Sequence, residues 1–68
     1  MRIVIKNNDE LKQFVRNLKA TDRAVNAIRT HKGIETYTNI KEYRKRCKRF
    51  PNAVQGKLTP YNIVAWYY

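Results

Sequence analysis

Hydrophobic and polar positions change period several times along this chain. Residues 2 to 6, RIVIK, are short and β-branched, and Asn7-Asn8 bound them, which predicts a strand. Ile3 and Ile5 share one face of it, with Arg2, Val4 and Lys6 on the other. From 8 to 19 the period lengthens. Leu11, Phe14, Val15 and Leu18 follow the i, i+3, i+4, i+7 rule of an amphipathic helix, and Lys12, Arg16 and Lys19 take its polar side. Asn7 or Asn8 caps this helix, and Asp9 and Glu10 suit the positive end of its dipole.

Thr21 and Asp22 predict the opening of a second helix, about 22 to 31, packed through Ala24, Val25, Ala27 and Ile28 and stopped at Lys32-Gly33. Ile34 to Thr38, IETYT, alternates like a strand, either paired with the first or left as an extended connection. A further helix starts at Thr38 or Asn39, where Asn39 and Glu42 have capping-box spacing. Ile40, Tyr43, Cys47 and Phe50 form its apolar stripe, and Pro51 ends it. Residues 51 to 58 read as a loop. Thr59-Pro60 is a helix-start signature, so 61 to 68 reads as a short terminal helix, with a strand as the alternative for so aromatic a segment. The resulting expectation is a single α+β domain over residues 1–68, mostly helical, with one short N-terminal strand or small hairpin and three to four short helices.

Size and composition narrow what such a chain can do. A domain of 68 residues buries only about 60% of its unfolded surface and is marginal, so homodimerisation is a live option. One cysteine cannot form an intrachain disulfide, and one Cys with one His cannot build a four-ligand zinc site. No signal peptide is visible, and no apolar run approaches the ~20 residues of a membrane span. A free cysteine without an export signal suits a reducing cytoplasm.

Catalytic groups are sparse. The chain has no serine and no glycine-rich phosphate loop. His31 reads as a contact at a helix end, Cys47 as a small buried hydrophobe, and Asp9 and Glu10 as helix-capping charges. The expectation is a non-enzymatic protein with no catalytic residue, metal or cofactor.

Charge is the strongest global feature. Fifteen Lys and Arg against five Asp and Glu give +10, a surface that repels itself and attracts polyanions. Six of those cations, Lys41, Arg44, Lys45, Arg46, Lys48 and Arg49, lie in nine residues with only Glu42 among them. On a helix Lys41, Arg44, Lys45 and Lys48 share a side, while Arg46 and Arg49 flank the apolar stripe elsewhere. Like charges at i, i+4 destabilise an isolated helix, and a polyanionic partner relieves that repulsion. Arginine also makes bidentate phosphate or guanine contacts. These six are the candidate nucleic-acid-binding residues, for DNA or RNA. The alternative is a small modulator or inhibitor that docks on a larger acidic protein. Tyr61, Trp66, Tyr67 and Tyr68 offer stacking surfaces, with Trp66 better placed as a core anchor.

The run RIVIK, NDELKQFVRNL, TDRAVNAIRTH resembles the ribbon-helix-helix DNA-binding family. The patterning is generic, and the glycine common in that family's inter-helix turn is absent from KATD at 19 to 22. The resemblance implies a dimer whose paired strands enter the major groove through Arg2, Val4 and Lys6. A helix-turn-helix is a poorer match, because the link from His31 to Asn39 is too long.

Overall fold

The computed structural model describes residues 2–68. In chain order it contains β1 (Arg2–Ile5), α1 (Asn8–Thr21), β2 (Val25–Thr30), β3 (Gly33–Tyr37), α2 (Ile40–Arg49), β4 (Gln55–Leu58) and a 3-10 turn (Ile63–Trp66). The four strands form one antiparallel sheet of order β1-β3-β2-β4. The expected mostly helical domain with three to four helices is therefore corrected to a four-stranded sheet carrying two α-helices.

The first two elements form as their patterns predict. Asn7 Oδ1 accepts the Glu10 amide at 2.8 Å, and the Glu10 carboxylate reaches back to the Lys6 amide at 3.3 Å. That reciprocal capping starts α1, whose Leu11, Val15 and Leu18 are buried.

The departure from expectation lies at 22 to 31. Asp22 takes a left-handed conformation (φ 51°, ψ 50°) and closes α1 instead of opening a helix. The Arg23 amide then bonds the Leu18 carbonyl at 3.0 Å. The chain continues into the central strand β2, covered on both faces. Ala27 packs with α1, while Ile28 packs with Tyr43 of α2. A strand with apolar neighbours on both sides loses its two-residue period and mimics a helical face. The supposed helix stop, Lys32-Gly33, is where the His31-Lys32 turn of the β2–β3 hairpin enters β3, with Thr30 opposite Gly33. Gly33 has φ 127°, and a Cβ there would lie 2.4 Å from the Ile5 carbonyl oxygen, so only glycine fits.

This hairpin removes the ribbon-helix-helix arrangement, because the third element is a strand and β1 pairs within its own chain with β3. His31 accordingly sits in the hairpin turn, its ring 5.9 Å from that of Phe50. Residues 55 to 58, expected in a loop, add β4 to the sheet edge; Leu58 is their sole buried side chain, so the segment carries little hydrophobic pattern. The terminal helix shrinks to one 3-10 turn that anchors Trp66 in the core.

Strand order also decides where the helices lie. The β1-α1-β2 and β3-α2-β4 units each link parallel strands across one intervening strand. Both step the same way along the sheet, but β1 and β3 run in opposite directions. Crossovers of one hand must then fall on opposite faces. α1 and the 3-10 turn cover one face with Ile5, Ala27, Ile34 and Leu58; α2 covers the other with Ile28 and Tyr37. Among the described residues no helix is long and apolar enough to cross a membrane.

Candidate nucleic-acid interface

α2 is a ten-residue helix with clear ends. Asn39 Oδ1 accepts the amides of Lys41 at 2.9 Å and Glu42 at 3.3 Å. Glu42 lies in the first turn, and Arg46, Lys48 and Arg49 lie in the last, matching the helix dipole at both ends.

Its inner side is more polar than the apolar stripe suggests. Tyr43 is buried and its hydroxyl donates to the Ala27 carbonyl at 3.2 Å. Burial, followed by the neighbouring Cys47 thiol, pushes the Tyr43 phenol up to about 12. Cys47 and Phe50 pack partly buried against Ile28 and Tyr37, whereas Ile40 is 44% exposed and closes nothing.

The unforeseen residue is Glu35 of β3. It points toward α2 and is 0% exposed. Arg46 grips it with two hydrogen bonds, Nε to Oε1 at 2.9 Å and Nη2 to Oε2 at 3.2 Å. The Tyr37 hydroxyl donates to Oε1 at 2.6 Å, and Thr30 Oγ1 donates to Oε2. Arg2 adds a longer ion pair at 3.7 Å. Burial alone raises this carboxyl, but the bonds from Arg46, Thr30 and Tyr37 and the Arg46 charge outweigh it and hold the group at about 2. Arg46 is shifted up in turn by its bonds to Glu35. The Arg46 guanidinium also lies over the Phe50 ring at 4.8 Å.

The six sequence-nominated cations thus divide by role. Lys41, Arg44, Lys45, Lys48 and Arg49 are exposed on the outer side of α2. The Arg46 side chain is 17% exposed and committed to Glu35, where it clamps the helix to the sheet. The same face holds two further exposed cations: Arg2 projects from β1, and Lys57 from β4 opposite Asn26. Strand alternation alone places Arg2, but Lys57 required knowing that β4 exists.

The His31 ring packs on Phe50, and Cys47 packs partly buried against Ile28, Tyr37 and Tyr43; the two share no hydrogen bond among the described residues. Nor do three His, Cys, Asp or Glu side chains come together as a metal site among the described residues. Comparison with family models, curated proteins and solved structures finds no match to this chain.

Proposed function

We propose that this protein is a non-enzymatic nucleic-acid-binding protein, a small regulator or accessory factor that works in the cytoplasm and contacts phosphates through α2. One observation carries the reading. Five exposed Lys and Arg stand on the side of α2 opposite its buried Tyr43, on a chain of charge +10. The Tyr43 and Arg46 anchors hold the helix at a fixed rotation, so those charges are displayed by a braced element. Lys41 with Lys45, and Arg44 with Lys48, repel at i, i+4, and a row of phosphates relieves that repulsion.

The test is binding of DNA and RNA by the wild type and by the triple variant Arg44→Gln, Lys45→Gln, Lys48→Gln across a salt series. Each lost phosphate contact lowers the salt slope by roughly one unit, so the variant binds more weakly and with a flatter slope of about three units less. A wild type that binds neither polymer in the micromolar range typical of non-specific contacts ends the reading.

A second reading, docking on a larger acidic protein, has its own support. Ile3 on the edge strand β1 is 43% exposed, beside two shallow apolar cavities of about 380 and 350 Å³ that Phe14 also lines. Open strand edges beside apolar surface are common protein-docking features. Changing Ile3→Lys separates the readings: nucleic-acid binding is retained, and docking through that edge is lost.

A further inference from the structure

The geometry points to α2 as a ridge shaped for the major groove of B-form duplex DNA, an inference that rests on the nucleic-acid reading above and narrows it to one polymer. Among the described residues α2 is the only helix on its face of the sheet, and it packs chiefly on the central strands β2 and β3. Strands lie roughly 4.8 Å apart, so four of them are wider than one helix of about 10–12 Å diameter. The helix therefore stands proud, with β1 and β4 lower on either side.

The charges are distributed over this ridge in a useful order. At about 100° per residue, Lys41, Lys45 and Lys48 fall within about 60° of one another at the crest, facing away from Tyr43. Arg44 and Arg49 lie on opposite shoulders, about 140° apart. Lys41 to Arg49 spans roughly 12 Å along the axis. Below the shoulders, Arg2 and Lys57 project from the two edge strands toward the same side.

This relief matches one polymer best. The B-DNA major groove, about 12 Å wide and 8.5 Å deep, admits an α-helix. With the crest in the groove, the shoulder arginines meet phosphates on opposite strands, and Lys57 on the β4 edge meets the backbone outside the groove, while Arg2 stays paired with Glu35. The A-form RNA major groove is too narrow and deep for such a ridge. Single strands are held by aromatic stacking platforms; here Tyr43 of α2 is buried, and Phe50 just past its end is partly buried with its ring covered by the Arg46 guanidinium.

The experiment measures fluorescence anisotropy of the full chain with a short DNA duplex, an RNA duplex of the same sequence and the single DNA strand, under one salt condition. The DNA duplex is expected to bind at least roughly tenfold more tightly than either competitor. Methyl green, which occupies the major groove, should displace the protein; netropsin, which occupies the minor groove, should not. Lys45→Glu on the crest should weaken DNA binding about tenfold, while Lys12→Glu on α1, across the sheet, should change it less than about threefold. Circular dichroism and thermal melting check that both variants fold. RNA duplex or single strand bound as tightly as DNA, or displacement by netropsin alone, overturns the groove assignment and leaves the nucleic-acid reading standing. Equal losses from Lys12→Glu and Lys45→Glu overturn the ridge, because net charge alone then explains binding. No binding to any of the three polymers ends both.

Discussion

The two faces of the sheet are held by different physics. Beneath α1, Ile5, Leu11, Leu18, Ala27, Ile34, Leu58 and Trp66 form an aliphatic core with one indole. Beneath α2 the contact is half polar: Ile28 and two tyrosines surround a buried carboxylate held by Arg46, Thr30 and Tyr37. The first face is stabilised chiefly by area removed from water, with Arg29 and Tyr68 adding a few bonds to backbone groups of Trp66, Tyr67, Ile5 and Ile34. The second is stabilised by directional bonds, which are satisfied at one helix rotation and few others. The face with the buried, charged network around Glu35 is the one that displays the basic ridge. That pairing teaches that this small chain places apolar residues where it needs cohesion and a polar network where it needs a defined orientation.

The largest expected effect breaks the aliphatic side. Leu11 is fully enclosed, and Leu11→Ala should lower stability by about 3–5 kcal/mol, equally at neutral and mildly acidic pH. Denaturant unfolding at two pH values measures it. A loss below about 1 kcal/mol would show that this face is not the main source of cohesion.

Next, Glu35→Gln tests the polar side and should depend on pH. The folded carboxyl sits at about 2, below its ordinary value of 4.5. Its contribution is therefore present above the ordinary range and is lost as pH falls from about 4.5 toward about 2. At neutral pH the variant should lose on the order of 3 kcal/mol, and the gap to wild type should close as the solution is acidified through that window. A gap that stays constant down to the acid end would remove the charged network as the cause.

A smaller effect is expected from Tyr43→Phe, which deletes the hydroxyl bonded to the Ala27 carbonyl. It should cost about 1 kcal/mol and leave the ring packing intact. Tyr68→Phe should cost a similar amount for a different reason. Its hydroxyl is inserted between the Ile34 amide (3.1 Å) and the Ile5 carbonyl (2.5 Å), bridging β3 to β1 at the sheet end. Faster amide exchange at Ile34 in Tyr68→Phe, with no change around α2, would locate that effect. Unchanged exchange there would exclude the bridge.

The smallest effect on stability belongs to the outer face. Arg44→Gln, Lys45→Gln, Lys48→Gln should move the melting temperature by only a few degrees, and upward, because it removes like-charge pairs. A steep drop would mean that these side chains hold the fold together and are not free for a partner.

The sequence by itself determined the local part of this protein. Leu11, Phe14, Val15 and Leu18 lie at helical spacing, and Asn7 and Asn39 precede their helices as caps, so α1 and α2 were legible. RIVIK alternates strongly enough to show β1, whereas IETYT reads equally as a strand or an extended connection until its pairing with β1 and β2 makes it β3. Periodicity put Lys41, Arg44, Lys45 and Lys48 on one side of α2, but it set Arg46 and Arg49 alike at the edges; the exposed Arg49 and the clamped Arg46 part only in the folded structure. Tertiary structure decided the rest. β2 reads as helix until Ala27 and Ile28 are seen to face different layers. β4 has almost no pattern, because an edge strand that buries only Leu58 is specified by its partner β2. Glu35 looks like a surface residue of an alternating strand; only the crossing of α2 over β3 brings Arg46 to it and makes its burial tolerable. Periodicity follows from bonding within one element and is written in neighbouring residues. Strand order and charge pairing depend on residues far apart in the chain, and no short window of sequence contains them.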